Sequence, residues 1–191
     1  MAGYSEDENL ADSRQFAELM RTLYHLKKPT IAMVQGPAFG GGVGLVSCCD
    51  VAIGTPAASF CFSEVLIGLI PAVISPYVIA AIGERAARRY FLTAERFSAE
   101  TAMQMGLLSA VVKQDQLHAA AHKMATKLLN NSPAAIAAAK ELIHLSSSRN
   151  IDDELIDETA QRVAAIRVSK EGQEGMKAFF NKQEPAWRNS Q

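Results

Sequence analysis

Between Pro29 and Gly83 the sequence holds two carboxylic acids, Asp50 and Glu64, and no Lys, Arg or His, although charged residues make up 20% of the chain. Glu64 is therefore set in apolar company. Such a setting disfavours the charged form of a carboxyl and moves its titration toward the range useful for proton transfer at neutral pH. The plainer role for the same residue is to cap the helix or turn that begins near Ser63. Asp50, directly before the run Val51 to Gly54, reads as the anchor of a turn.

Upstream of Glu64 lies Gly40-Gly41-Gly42, at a strand-to-helix junction. One reading is steric, because small residues let a helix pack closely on a strand. A second is an oxyanion hole, in which the Gly41 N–H at a helix start faces a developing negative oxygen. A phosphate loop is disfavoured, since no Lys-Ser/Thr follows and the spacing is not the dinucleotide fingerprint. His118 and His122 stand four apart with no evident third ligand, so they are expected to face solvent and no metal is expected. Arg85, Arg88 and Arg89 share a helical face that is either solvated or a seat for an anionic group.

The elements that must position these groups follow from local pattern. Ser5 to Glu8 has capping-box spacing, and Phe16, Leu19, Met20 and Leu23 form one apolar stripe, which predicts a helix ending near Lys28-Pro29. A strand is expected over 30–35, a turn at Gly36-Pro37, a short buried helix over 41–49, and strands over 51–54 and 59–62. Beyond Pro71, helices are expected over 74–82 and 85–92, a Ser98-capped helix stopping at Gly106, and a strand over 107–112. Residues 115–191 read as helices: to Leu129 from Asp115, from Ser132-Pro133 through Ile143, then 152–167 and 170–181. This pattern predicts an α/β core over 1–130 and a helical C-terminal region over 131–191.

The totals bound the possible functions. The chain has 191 residues, 49% of them hydrophobic, and a formal net charge of -1, so it can bury a substantial core and has no general attraction for nucleic acid or anionic membrane. Its three cysteines, all within the apolar stretch, read as reduced core thiols. The polar N-terminus is unlike a secretory signal, and no window is a clean membrane span. A soluble, cytoplasmic protein is expected.

The run KPTIAMVQGPAFGGGVGLVSCCDVAIGTPAASFCFSEVLIGLIPAVISPYVIAAIGERAARRYFLTAERFSAETAMQMGLLSAVV resembles the enoyl-CoA hydratase/isomerase (crotonase) superfamily. SEVLIGLIPAVISPYV and GERAARRYFLTAERF are most similar to the bacterial methylglutaconyl-CoA and isohexenylglutaconyl-CoA hydratase branch. The resemblance implies a spiral of strand-strand-helix units, with C-terminal helices that build trimers or hexamers. It implies an acyl-CoA thioester as substrate, so that coenzyme A enters with the substrate and no other cofactor is needed. Gly41 matches one of two backbone donors to the thioester oxygen, and Glu64 matches the glutamate that moves the α-carbon proton. Gly40, Pro71 and Ala72 fall at substrate positions, Ala72 where a backbone N–H helps to place the water. Phe179 and Lys182 match positions that contact the CoA of a neighbouring site.

Two departures from the pattern carry consequences. Where a first glutamate is expected, three residues after Gly41, this chain has Gly44, so Glu64 must act as base and acid in turn. Family members also carry a further segment before the position of Met1, so the chain is expected to be truncated at its N-terminus, lacking the other oxyanion donor. The expected activity is hydration of a branched 2-enoyl-CoA resembling 3-methylglutaconyl-CoA. The alternatives are an enoyl-CoA isomerase and a non-catalytic remnant that packs with partners through its helices.

Overall fold

Ser5 opens the first helix, α1 (Glu6–Tyr24), through the predicted capping box: the Glu8 N–H donates to the Ser5 hydroxyl while the Glu8 carboxylate accepts from the Ser5 N–H at 2.7 Å. In this computed structural model, residues 3–147 and 149–188 are described, so the outermost residues of both expected regions lie outside the described part. They fall into two units, 3–26 with 30–122, and 27–29 with 123–188. The division between them falls within α5 (Leu117–Leu129).

In the first unit the chain repeats a strand-strand-helix pattern. β1 (Ile31–Val34) and β2 (Pro37–Phe39) lead into α2 (Gly41–Cys48); β3 (Val51–Gly54) and β4 (Ser59–Cys61) lead through a 3-10 turn (Glu64–Ile67) into α3 (Ser75–Thr93). Each repeat adds one strand to each of two sheets. The first sheet runs β1-β3-β6, all parallel, with Ile31 opposite Val51 and Ile53 opposite Ala110 of β6 (Ala110–Val111). The second runs β2-β4-β5, where β4 is parallel to β2 and antiparallel to β5 (Phe97–Ser98). Ser98 then caps α4 (Ala99–Gln104) by accepting the Thr101 N–H.

The core of this unit lies between α1, α2, α3 and the strands. Phe60 and Phe62 are both 0% exposed, and burial of each such ring contributes roughly 1.5–3 kcal/mol. Phe97 stacks on Phe60 with 5.4 Å between ring centres and meets Tyr90 of α3 at 4.4 Å, tying the second sheet to that helix.

Several boundaries differ from the sequence expectation. Pro37 begins a strand rather than ending a turn; a first strand residue can do without an N–H donor. α1 stops at Tyr24, with the His25 N–H returning to Arg21 and Leu23 carbonyls. α3 contains both expected helices, and the break between them is Gly83, at φ +77°. Only Ala110–Val111 of the expected strand over 107–112 pairs, while Leu107 and Leu108 are buried in the core. A 3-10 turn, Gln114–Gln116, precedes α5 where Asp115 was expected to cap it.

The second unit contains α6 (Pro133–Ser147), α7 (Asp153–Val168) and α8 (Lys170–Phe180). Each start is capped by a side chain. Ser132 accepts the Ala135 N–H and donates to Glu171, Asp152 accepts the Leu155 N–H, and Ser169 accepts the Gly172 N–H. Arg149 pairs with both Glu154 and Glu158, and Trp187 covers Gly175, where a Cβ would stand 3.0 Å from its ring. Among the described residues no helix is long and apolar enough to cross a membrane.

Candidate active site

Gly40 ends β2's exit and starts α2, and its backbone sits at φ +49°, ψ -117°, a conformation open to glycine. Its N–H donates to the Cys61 carbonyl at 2.9 Å, which ties the α2 start to the end of β4. Three residues after Cys61 comes Glu64. The carboxylate lies against the glycine: a Cβ on Gly40 would stand 2.9 Å from Glu64 Oε1.

Glu64 is the first residue of the 3-10 turn and Ser63 its N-cap, with no side-chain hydrogen bond at the cap, so the capping role weighed for Glu64 is not realised. Its Oε2 is buried and accepts no hydrogen bond from the described residues. A carboxylate oxygen left without a donor is costly as a structural device and available as a proton acceptor. Glu64 and Gly41 both line one cavity of about 970 Å³. Gly41 is the first residue of α2, where helix geometry leaves its N–H without an acceptor in the helix. Phe16 of α1 lies over Gly41 so closely that a Cβ there would stand 2.7 Å from its ring.

Pro71 and Ala72 line the same cavity. Pro71 is buried and Ala72 exposed, and the Ala72 N–H donates to the Ile70 carbonyl at 2.8 Å. The structure thus brings Gly40, Gly41, Glu64, Pro71 and Ala72 together. Phe179 and Lys182 belong to the second unit, at the end of α8, where Phe179 is 79% exposed and Lys182 holds φ +52°.

Gly44 faces away from solvent and is closed off. A Cβ on it would stand 2.8 Å from Ile74 Cβ, nearer still to Ile74 Cγ2, and 3.4 Å from Met20 Cε. Ile74 also lines the cavity, so an isoleucine of α3's start occupies the space that a side chain at residue 44 would need. Phe16 and Ile74 were not among the residues expected at the site. Phe16 was visible only as part of the α1 stripe, and Ile74 only as a helix start.

The remaining candidates do not line this cavity. Asp50 Oδ2 accepts the Thr30 N–H at 2.7 Å and the Thr30 hydroxyl at 2.9 Å, as a turn anchor should. Arg88 pairs with Glu84 and Arg89 with Glu95 on an exposed surface. His118 and His122 are exposed, and no group of three metal-ligating side chains occurs among the described residues. Cys48 and Cys61 are buried thiols, and burial is the first cause pushing each of them up.

Residues 1–190 match the sequence profile of the enoyl-CoA hydratase/isomerase family. The chain belongs to that family. A crystal structure of an enoyl-CoA hydratase from Shewanella pealeana is 50% identical, covers 97% of this chain with 69% of its own, and superposes with a TM-score of 0.94. Pseudomonas aeruginosa AtuE is 34% identical with a TM-score of 0.91, over 98% of this chain and 72% of its own. Among curated relatives, the enoyl-CoA hydratase ACTT6 of Alternaria alternata is 35% identical over 155 residues, 80% of this chain and 51% of that protein. The carnitinyl-CoA dehydratase of Salmonella heidelberg is 29% identical over 178 residues, 87% of this chain and 65% of that protein. The two sheets and their helices are thus the crotonase fold, with a helical C-terminal region. Enoyl-CoA hydratases and isomerases act on acyl-CoA thioesters.

Proposed function

We propose that this chain adds water across the double bond of a branched 2-enoyl-CoA of the size of 3-methylglutaconyl-CoA. The observation that carries the reading is the unpartnered Glu64 Oε2 in the cavity that Gly41 also lines. The Gly41 N–H donates to the thioester oxygen as it gains charge, a contribution of about 3 kcal/mol per donor in comparable sites. Glu64 takes a proton from water and returns it to the α-carbon, so that one carboxylate serves in both directions. No cofactor beyond the coenzyme A of the substrate takes part.

Enoyl-CoA isomerisation is a second reading, favoured by Ile74 against Gly44. No second carboxylate fits there, and moving a double bond needs only one group to carry a proton between two carbons.

The exposed Phe179 and Phe180, each 79% exposed, together with Ile143 and Ile156, support assembly of the second unit into a homotrimer or hexamer. In that assembly Phe179 and Lys182 contact the CoA of a neighbouring site. We place the protein in the cytoplasm, with no nucleic acid or membrane partner.

The test is to follow 3-methylcrotonyl-CoA and 3-methylglutaconyl-CoA for loss of the conjugated thioester absorbance, and a 3-enoyl-CoA for its gain. Hydration of either branched substrate supports the first reading, and isomerisation alone supports the second. If wild type and Glu64→Gln are equally inert and neither binds acyl-CoA, the chain is a non-catalytic homologue.

A further inference from the structure

Among the described residues, the cavity that holds Glu64 has no counter-charge for a second acid. Its side chains are mostly apolar, with Phe16, Leu69, Ile70, Val73 and Ile74 among them, and among the described residues its polar ones are Asn9, Ser13 and Glu64. Among the described residues no Lys, Arg or His lines it. Several of the apolar groups are left uncovered by the fold: Ile67 is 74% exposed, Ile70 73% and Leu69 53%. Ile74, packed against Gly44, adds a further apolar wall where a polar side chain has no room.

We infer that this cavity selects an uncharged, branched acyl group and rejects one that ends in a carboxylate. An apolar branch covers Leu69 and Ile70 and removes their surface from water. A terminal carboxylate in the same place loses hydration and finds no cation among the described residues that line it. The inference rests on the acyl-CoA reading above. It narrows the branched class named there and turns it away from its carboxylated member.

Isovaleryl-CoA and glutaryl-CoA share the CoA half and differ in the acyl group alone, so the ratio of their dissociation constants reads the cavity. Calorimetric titration of the whole chain should find isovaleryl-CoA bound at least about 100-fold more tightly. Ile70→Arg, at a position that is 73% exposed and so not needed for folding, should bring the two within about tenfold. Equal or tighter binding of glutaryl-CoA by the wild type overturns the inference while leaving the acyl-CoA reading in place. Binding of neither overturns both.

Discussion

Glu64 Oε1 lies so near Gly40 that a Cβ there would stand 2.9 Å from it, and Gly40 itself adopts φ +49°. The glycine therefore does two things at once: it turns the chain into α2 and gives the carboxylate its place. Gly40→Ala should strain the backbone and push Glu64 aside. We expect a loss of about 1–3 kcal/mol in urea unfolding and a fall in kcat of roughly 100-fold, with the two effects separable because the folded fraction can be measured first.

Gly44 is a packing residue. Gly44→Glu should not gain hydratase activity; it should lose about 1–3 kcal/mol, because Ile74 and Met20 already fill the space. Adding Ile74→Ala should recover part of that loss. Chemical denaturation of the two single variants and the double variant checks the coupling.

Burial pushes the Cys48 thiol from its ordinary 9.0 up to about 12, with the neighbouring Cys49 as the smaller cause. The folded state thus holds this proton more tightly than the unfolded state. The stability it contributes is fully present below pH 9 and is lost as pH rises toward about 12. Denaturation midpoints measured across that window should fall more steeply for wild type than for Cys48→Ala. At pH 8 the Cys48 thiol, 2% exposed, should resist alkylation in the native protein and react after unfolding.

Much of the frame could be read locally. The Ser5–Glu8 box, the β-branched runs of β1 and β3, and the gap between the helices expected over 74–82 and 85–92 all act over a few residues, and the structure has a cap, strands and a break at Gly83 in those places. β2 and β5, of three and two residues, are too short to show an alternating period. In the cavity, Glu64 stood out as a carboxyl in apolar company and Gly41 as part of a glycine run at a strand-to-helix junction, and both line it. Phe16 over Gly41 and Ile74 over Gly44 were not, since each is a contact between distant segments that no local spacing encodes. That the Ala72 N–H is bonded to Ile70 likewise depends on the turn that the chain makes there.

The central claim is that Glu64 moves the proton at the α-carbon of an acyl-CoA thioester. A 2-enoyl-CoA and a 3-enoyl-CoA in deuterated water, followed by NMR, report that proton for hydration and for isomerisation respectively. The wild type should exchange it, and Glu64→Gln, folded to the same extent by circular dichroism, should be slower by at least about 100-fold. Exchange by Glu64→Gln at the wild-type rate, or no exchange by the wild type, would contradict the claim.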